Sequence, residues 1–283
     1  MAAVSESELI ALDASHDIIT LGMMADETRR ALHGLRTTFV RVAVLSAEPG
    51  APLVWPQAAG ELRVAGAPAS LGAAAQRVRE VLARSGGTPV SAYSLADLEA
   101  LAGREQTTLR SVLEELRGAG LELVAEAPVD LLADARRSIE EVNIAGLALA
   151  RLTVHQWPSA DMLSLLQRVA DLQRAVAVVR AFAPLPRTIN PALPTTGFDD
   201  VKRVALARLV VDRVPSIQVD WSLYGPKLAQ VALTVGADDV DAVSADDDIS
   251  QGTRRAPLEE IRRNIRAAGQ EPVERNGRFD TLS

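Results

Sequence analysis

The side chains best suited to proton transfer or polar ligand contact form an acidic set late in the chain: Asp238, Asp239 and Asp241, with Asp246, Asp247 and Asp248 close behind. At the end of a barrel strand, the first trio would make a polar site at the C-terminal mouth, where barrel enzymes keep their chemistry. The plainer alternative is a solvated loop and a helix cap, and the run Asp246 to Asp248 reads as solvated charge. Asp220 and Trp221 stand in SIQVDWSLYG. Strand alternation there sets Ile217, Val219 and Trp221 against Gln218 and Asp220, one set inside and one outside. Inward polar residues near a strand end would contact a ligand; a Trp packed under outer helices fits the same pattern. Arg187 and Asn190 lie in PLPRTINP. An Arg and an amide together suit a carboxylate or a sugar hydroxyl, and the prolines equally suit a rigid turn. His155 is the only histidine placed within a strand. It is a hydrogen-bonded core residue, or a general acid or base if a partner stands beside it, and the sequence shows none. His33 closes a helix, where its charge complements the C-terminal dipole.

Other chemistries are excluded by residue type. The 283 residues include no cysteine, which removes disulfides, thiolate metal ligands and a Cys nucleophile. No GxGxxG, P-loop, HExxH or GxSxG pattern occurs. The net charge of −7 argues against nucleic acid as a partner. The N-terminal residues lack the basic and apolar regions of a signal peptide, and no apolar run is long enough to span a bilayer, so the expected compartment is the cytoplasm.

These side chains must be positioned by the surrounding elements. Apolar residues make up 48% of the chain and aromatics only 3%, so the core is built from Ala, Val and Leu. TTFVRVAVLSA, GELRVAGAP, VSAYS, LELVAEA, LALARLTVHQW, VAVVRAFAPL, SIQVDWSLYG and DDVDAVSA read as strands. Amphipathic helical stretches lie between most of them, as in TTLRSVLEELRGAG and SADMLSLLQRVADLQRAV. Such alternation predicts parallel βαβ units and an α/β fold, a (β/α) barrel of the TIM type, complete or shortened, preceded by N-terminal helices. The expected organisation is a helical extension over residues 1–36, a barrel over 37–250, and a helix with a polar tail over 251–283.

Several stretches resemble the aminofutalosine synthase branch of the radical SAM superfamily, which serves menaquinone biosynthesis. PTTGFDDVKRVALARLVVDRVPSIQVDWSLYGPKLAQVALTVGADDVDA (residues 194–242) is similar to that branch's late helix–strand–helix–strand block. PLEEIRRNIRAAGQEPVER (257–275) resembles its closing helix, TLGMMADETRRALHG (20–34) its N-terminal helix, and VLEELRGAGLE (112–122) its central helix and strand. The resemblance implies a radical SAM type of barrel. It also exposes departures. Where the family carries a CxxxCxxC loop for a [4Fe–4S] cluster, this chain has EPGAPLVWPQAAGELRVAG, and the following helix is missing. Where the family has a glycine-rich stretch, AEAPVDLLADA has no glycine. Where the family has a GHxE-like motif, VHQWPS keeps His155 but sets Trp157 at the acidic position, and an indole N–H cannot accept a hydrogen bond.

The resemblance therefore implies a protein with no cofactor: the cluster is ruled out with the cysteines, and S-adenosylmethionine is not expected. The leading expectation is a non-catalytic partner of a radical SAM paralogue or futalosine-pathway enzyme, or a protein that binds a pathway intermediate. Two alternatives are a cluster-independent enzyme acting on a futalosine-like carboxylate or nucleoside through the acidic trio and Arg187, and a structural scaffold. An apolar surface left bare by the missing helix would favour a partner.

Overall fold

A computed structural model of the chain describes residues 6–157, 162–188, 196–247 and 256–282. Two helices, α1 (Glu6–Ala14) and α2 (Ile18–His33), lead into the strand β1 (Arg36–Ser46). The chain continues through β2 (Glu61–Ala65), α3 (Leu71–Leu82), β3 (Val90–Ser94), α4 (Leu95–Arg104) and α5 (Leu109–Gly118). Then come β4 (Leu123–Pro128), α6 (Ala135–Ile144), the short pieces β5 (Ala148–Leu149) and β6 (Leu152–Val154), and α7 (Met162–Val176). The last part holds β7 (Ala181–Pro186), α8 (Gly197–Val210), β8 (Ser216–Asp220), α9 (Trp221–Thr234), β9 (Asp239–Ser244), α10 (Pro257–Ala267) and β10 (Glu271–Glu274).

All strand pairings between these elements are parallel. They run β1-β2-β3-β4-β6-β7-β8-β9 and close by pairing β9 with β1. The barrel is therefore complete. Its fifth stave is broken, because β5 and β6 each pair with β4 on either side of Ala150 and Arg151. Closure is irregular at β9, where the register with β1 slips beside Ala242, whose φ is 55°. β10 adds to the free end of β1, pairing Arg36 to Phe39 with Glu271 to Glu274.

The helix ring forms for ordinary reasons. Thr108 caps α5 and Ser70 caps α3 through their hydroxyls. Thr196 and Asp199 form a reciprocal capping box at the start of α8. Buried Val112, Leu113 and Leu116 of α5 line one helix face, and they join strand residues such as Leu62, Val64, Val124, Ile217, Val219 and Val240 in the core between sheet and helices. Gly236 has φ 116°, and a Cβ there would lie 2.9 Å from that of Arg208, so the turn before β9 requires glycine. α2 packs against α8, burying Leu21, Ala25 and Arg29.

One helix is missing from the ring. Residues 47–60 join β1 to β2 without a helix, as the sequence suggested. The surface is not bare, however. Leu53 and Trp55 pack onto the core, and Arg77 of α3 donates hydrogen bonds to the carbonyls of Ser46 (2.8 Å) and Ala51 (3.0 Å). Exposed apolar side chains near this connection are Val44 and Val54, at 64% and 83%. Trp221 is also placed differently from expectation: β8 ends at Asp220, which caps α9, and Trp221 is the first helical residue. The helix kinks at Gly225 before Pro226. The polar tail contains β10, which the sequence reading did not anticipate.

Candidate functional site

Alternation decides which strand side chains enter the barrel. Leu62 and Val64 face the helices, so Glu61 and Arg63 face inward; Val240 faces out, so Asp239 and Asp241 face inward. The interior of a barrel is ordinarily filled by branched apolar side chains. Here its lower part is a network of charge. Arg275, entering from just beyond β10, grips Asp239 with both forks (Nε to Oδ1 2.6 Å, Nη2 to Oδ2 2.7 Å). Gln218 also donates to Asp239 (2.6 Å), as does the Thr38 hydroxyl. Arg63 holds Asp241 at 2.8 and 3.1 Å and Glu61 at 2.9 Å. Arg151, at the break between β5 and β6, bridges Asp241 and Glu61. The Ser91 hydroxyl donates to Glu61 at 2.6 Å.

Three guanidiniums thus face three carboxylates. Burial would raise Glu61, but Arg63 and Arg151 prevail and hold it at about 2, against an ordinary 4.5. Burial is likewise overridden at Asp241, where Arg151 and Arg63 hold the carboxyl well below its usual range. Burial works against Arg63 too, yet Asp241 and Glu61 raise it well above its usual value. Groups held so firmly in one protonation state do not exchange protons near neutral pH.

The expected acidic trio is therefore corrected on two counts. Asp238 and Asp239 lie at the start of β9, at the end of the barrel opposite the mouth. Moreover, Asp238 points away from the interior, to Arg208, the Ile217 N–H (2.8 Å) and His33 (3.5 Å). Burial raises the Asp238 carboxyl above its usual value despite Arg208. His33, read as a helix-end charge, also contacts the Pro215 carbonyl through Nε2 at 2.9 Å. Asp247 makes an exposed contact with Arg41 at 3.3 Å, in keeping with solvated charge; Asp248 lies outside the described residues.

The mouth, at the C-terminal strand ends, brings together other candidates. Arg187, just past β7, pairs with Asp220 at the end of β8 and lies 3.4 Å from Glu126 of β4. Glu126 and Asp220 raise Arg187 above its usual value against the effect of burial. Its Nε is buried and has no partner among the described residues. Asp220 is also tied to the Ser222 hydroxyl (2.7 Å) and the Leu223 N–H (3.0 Å). Burial, and then Glu126, raise the Asp97 carboxyl in the first turn of α4. His155 follows β6 rather than lying within it, and its ring Nε2 is 3.0 Å from the Thr188 hydroxyl. Asp130 holds the turn by accepting the N–H groups of His155 and Gln156, both at 2.7 Å. Trp157 donates its indole N–H to the Pro184 carbonyl (2.6 Å) beneath Arg203 and is a packing residue. Trp221 packs against the core at the start of α9, so the inward pair of β8 is Gln218 and Asp220. Asn190 lies outside the described residues.

Sequence reasoning did not single out Glu61, Arg63, Arg151, Arg275 or Glu126. A signal was present: GELRVAG carries opposite charges at i and i+2 within an apolar strand, a spacing that sends both side chains to one face.

A closed parallel barrel with its polar side chains at two levels defines the class of fold, a (β/α) barrel. The solved structure of methylornithine synthase matches this fold over 95% of the chain and 94% of its own length, with a TM-score of 0.67 and 12% identity. In sequence, residues 185–283 match the family described as the CofH/MqnC C-terminal region. The chain is 28% identical over 224 residues to the aminodeoxyfutalosine synthase of Thermus thermophilus, covering 68% of this chain and 60% of that protein. It is 29% identical over 189 residues to the cyclic dehypoxanthine futalosine synthase of Streptomyces coelicolor, covering 60% of this chain and 47% of that one. The matched stretch thus spans between about half and three fifths of these two relatives.

The resemblance to radical SAM enzymes implies an iron–sulfur cluster held by three cysteines after β1. The donor set here does not fit one: the 47–60 connection offers no sulfur, and its carboxylate Glu48 is exposed. Among the described residues, no group of His, Asp or Glu is arranged to hold a metal, and no helix is long and apolar enough to cross a membrane.

Proposed function

We propose that this chain is a non-catalytic relative of the futalosine-pathway synthases that binds a ribosyl-bearing intermediate of menaquinone biosynthesis at the barrel mouth, without a cluster or S-adenosylmethionine. The observation that carries this reading is the Arg187 group. One guanidinium between Asp220 and Glu126 leaves the cluster net negative, which disfavours a carboxylate ligand, while spare acceptors and the unpartnered Arg187 Nε suit sugar hydroxyls. The relatives' names give their products as futalosine derivatives. In this reading the chain supplies the intermediate to a catalytic radical SAM paralogue and works in the cytoplasm.

The test has two arms. Anaerobic reconstitution with iron and sulfide should leave the visible spectrum featureless; cluster absorbance would overturn the reading. Dehypoxanthine futalosine should raise the melting temperature, since ligand at a hundredfold excess over Kd stabilises by about 2.7 kcal/mol. No stabilisation, together with no co-purification with aminodeoxyfutalosine synthase, would refute both the binding and the partner role and leave a scaffold.

One observation favours a second reading, a cluster-independent enzyme. The raised carboxyl of Asp97, beside Glu126, is suited to donate a proton. Replacement by Asn would abolish any turnover that depends on it. The acidic trio is a poor alternative, because Asp238 faces the helices and Asp239 and Asp241 are engaged by arginine forks.

A further inference from the structure

At the end of the barrel opposite the mouth, a hollow of about 620 Å³ opens between α6 and α7. That volume suits a small organic ligand. It lies beside the broken fifth stave: β5 is only two residues long and pairs with β4 alone, and the loops at 177–180 and 213–215 line the hollow with it. Gln173 holds those loops in place. Its side-chain amide donates to the carbonyls of Val179 (3.0 Å) and Arg213 (3.1 Å) and accepts the Val179 N–H (3.1 Å), so the frame is rigid without a ligand. Ile139, Val142, Leu147 and Leu149 form an apolar floor. A second hollow of about 170 Å³ shares Ala148, Leu149 and Arg180 and runs on beneath Phe279.

The charged residues lining the larger hollow are Arg174, Arg180 and Arg213, with no carboxylate among the lining. In a chain of net charge −7, that is a local reversal of sign. Arg174 is paired with Asp171. Arg180 donates to the Arg278 carbonyl and meets no carboxylate among the described residues. Arg213 has no side-chain hydrogen bond or ion pair among them. A guanidinium fork beside an apolar floor recognises an anionic head on an apolar body, because the fork matches carboxylate, sulfonate or phosphate oxygens while the floor removes the body from water.

We propose that this hollow is a second binding site, for a small molecule with an apolar body and one anionic group held by Arg180 and Arg213. It is separate from the mouth and does not rest on the function proposed above. The test uses the full chain and two dyes, anionic 1-anilinonaphthalene-8-sulfonate and neutral N-phenyl-1-naphthylamine, followed by fluorescence titration. The anionic dye should bind about tenfold more tightly than the neutral one, the gain expected when a fork meets an anion. Arg180→Ser and Arg213→Ser should each abolish that preference, and Asn143→Trp, which fills the hollow from α6, should block both dyes. All three positions are exposed, so circular dichroism should report an unchanged fold. Competition by octanoate and by octyl phosphate then tells a carboxylate head from a phosphate. Equal affinity for the two dyes, or a preference that survives both serine variants, would overturn the proposal, as would unimpaired binding to Asn143→Trp.

Discussion

In the lower barrel, three arginines and three carboxylates exhaust one another, with Ser91, Gln218 and Thr38 completing their hydrogen bonds. At the mouth, Arg187 serves two carboxylates and still has an unpartnered Nε. The same residue types make a filled interior in one place and a receptive surface in the other. What separates them is stoichiometry and access to solvent. A buried charge needs its partner to be tolerated at all, whereas a half-open group with a spare donor can take on a ligand.

The sharpest way to break this contrast is Asp239→Ala. It leaves the Arg275 guanidinium buried without its carboxylate and should cost about 3–5 kcal/mol in urea unfolding. A loss below about 1 kcal/mol would mean that water reaches the lower interior. Replacing both partners by apolar residues, Asp239→Leu with Arg275→Met, should recover most of the loss. Next in size is acid sensitivity. The folded value of Glu61 is depressed from 4.5 to about 2, so its contribution is fully present above 4.5 and fades as the pH falls toward 2. That difference corresponds to about 3 kcal/mol, and Glu61→Gln should flatten the stability profile measured over this range. Arg187→Met sharpens the other side of the contrast. It should cost only about 1 kcal/mol, because Asp220 keeps Ser222 and the Leu223 N–H, yet it should remove stabilisation by dehypoxanthine futalosine. The smallest effect is expected at the covered gap in the helix ring: Val54→Ser should change stability by less than about 0.5 kcal/mol, since the side chain is 83% exposed.

The periodic elements were legible in the sequence. VSAYS is β3, and the apolar spacing of α5 is the face that packs. LALARLTVHQW read as one strand because its apolar content is continuous; the break at Ala150 and Arg151 falls where the Arg151 side chain reaches Asp241 and Glu61, contacts that no local pattern reveals. EPVE was missed because β10 has neither β-branched run nor alternation, and its order comes from pairing with β1. The acidic trio was found but its roles were not, since the parity that sends Asp239 inward and Asp238 outward depends on barrel register. Arg187 and Asp220 were both singled out. Their pairing spans 33 residues of sequence and is a property of neighbouring strand ends.

The arrangement of β1 also sets a schedule for assembly. This strand meets β2 soon after its own end, but its opposite edge must wait for β9, and the lower part of its β2-side edge for β10, both made some two hundred residues later. Arg275, which matches Asp239, arrives later still. On the ribosome, the early staves and helices can gather while the interior carboxylate of β9 has no counter-ion. A nascent chain stalled before residue 275 should therefore stay open to proteases and chaperones, and the final strand acts as a latch that licenses release.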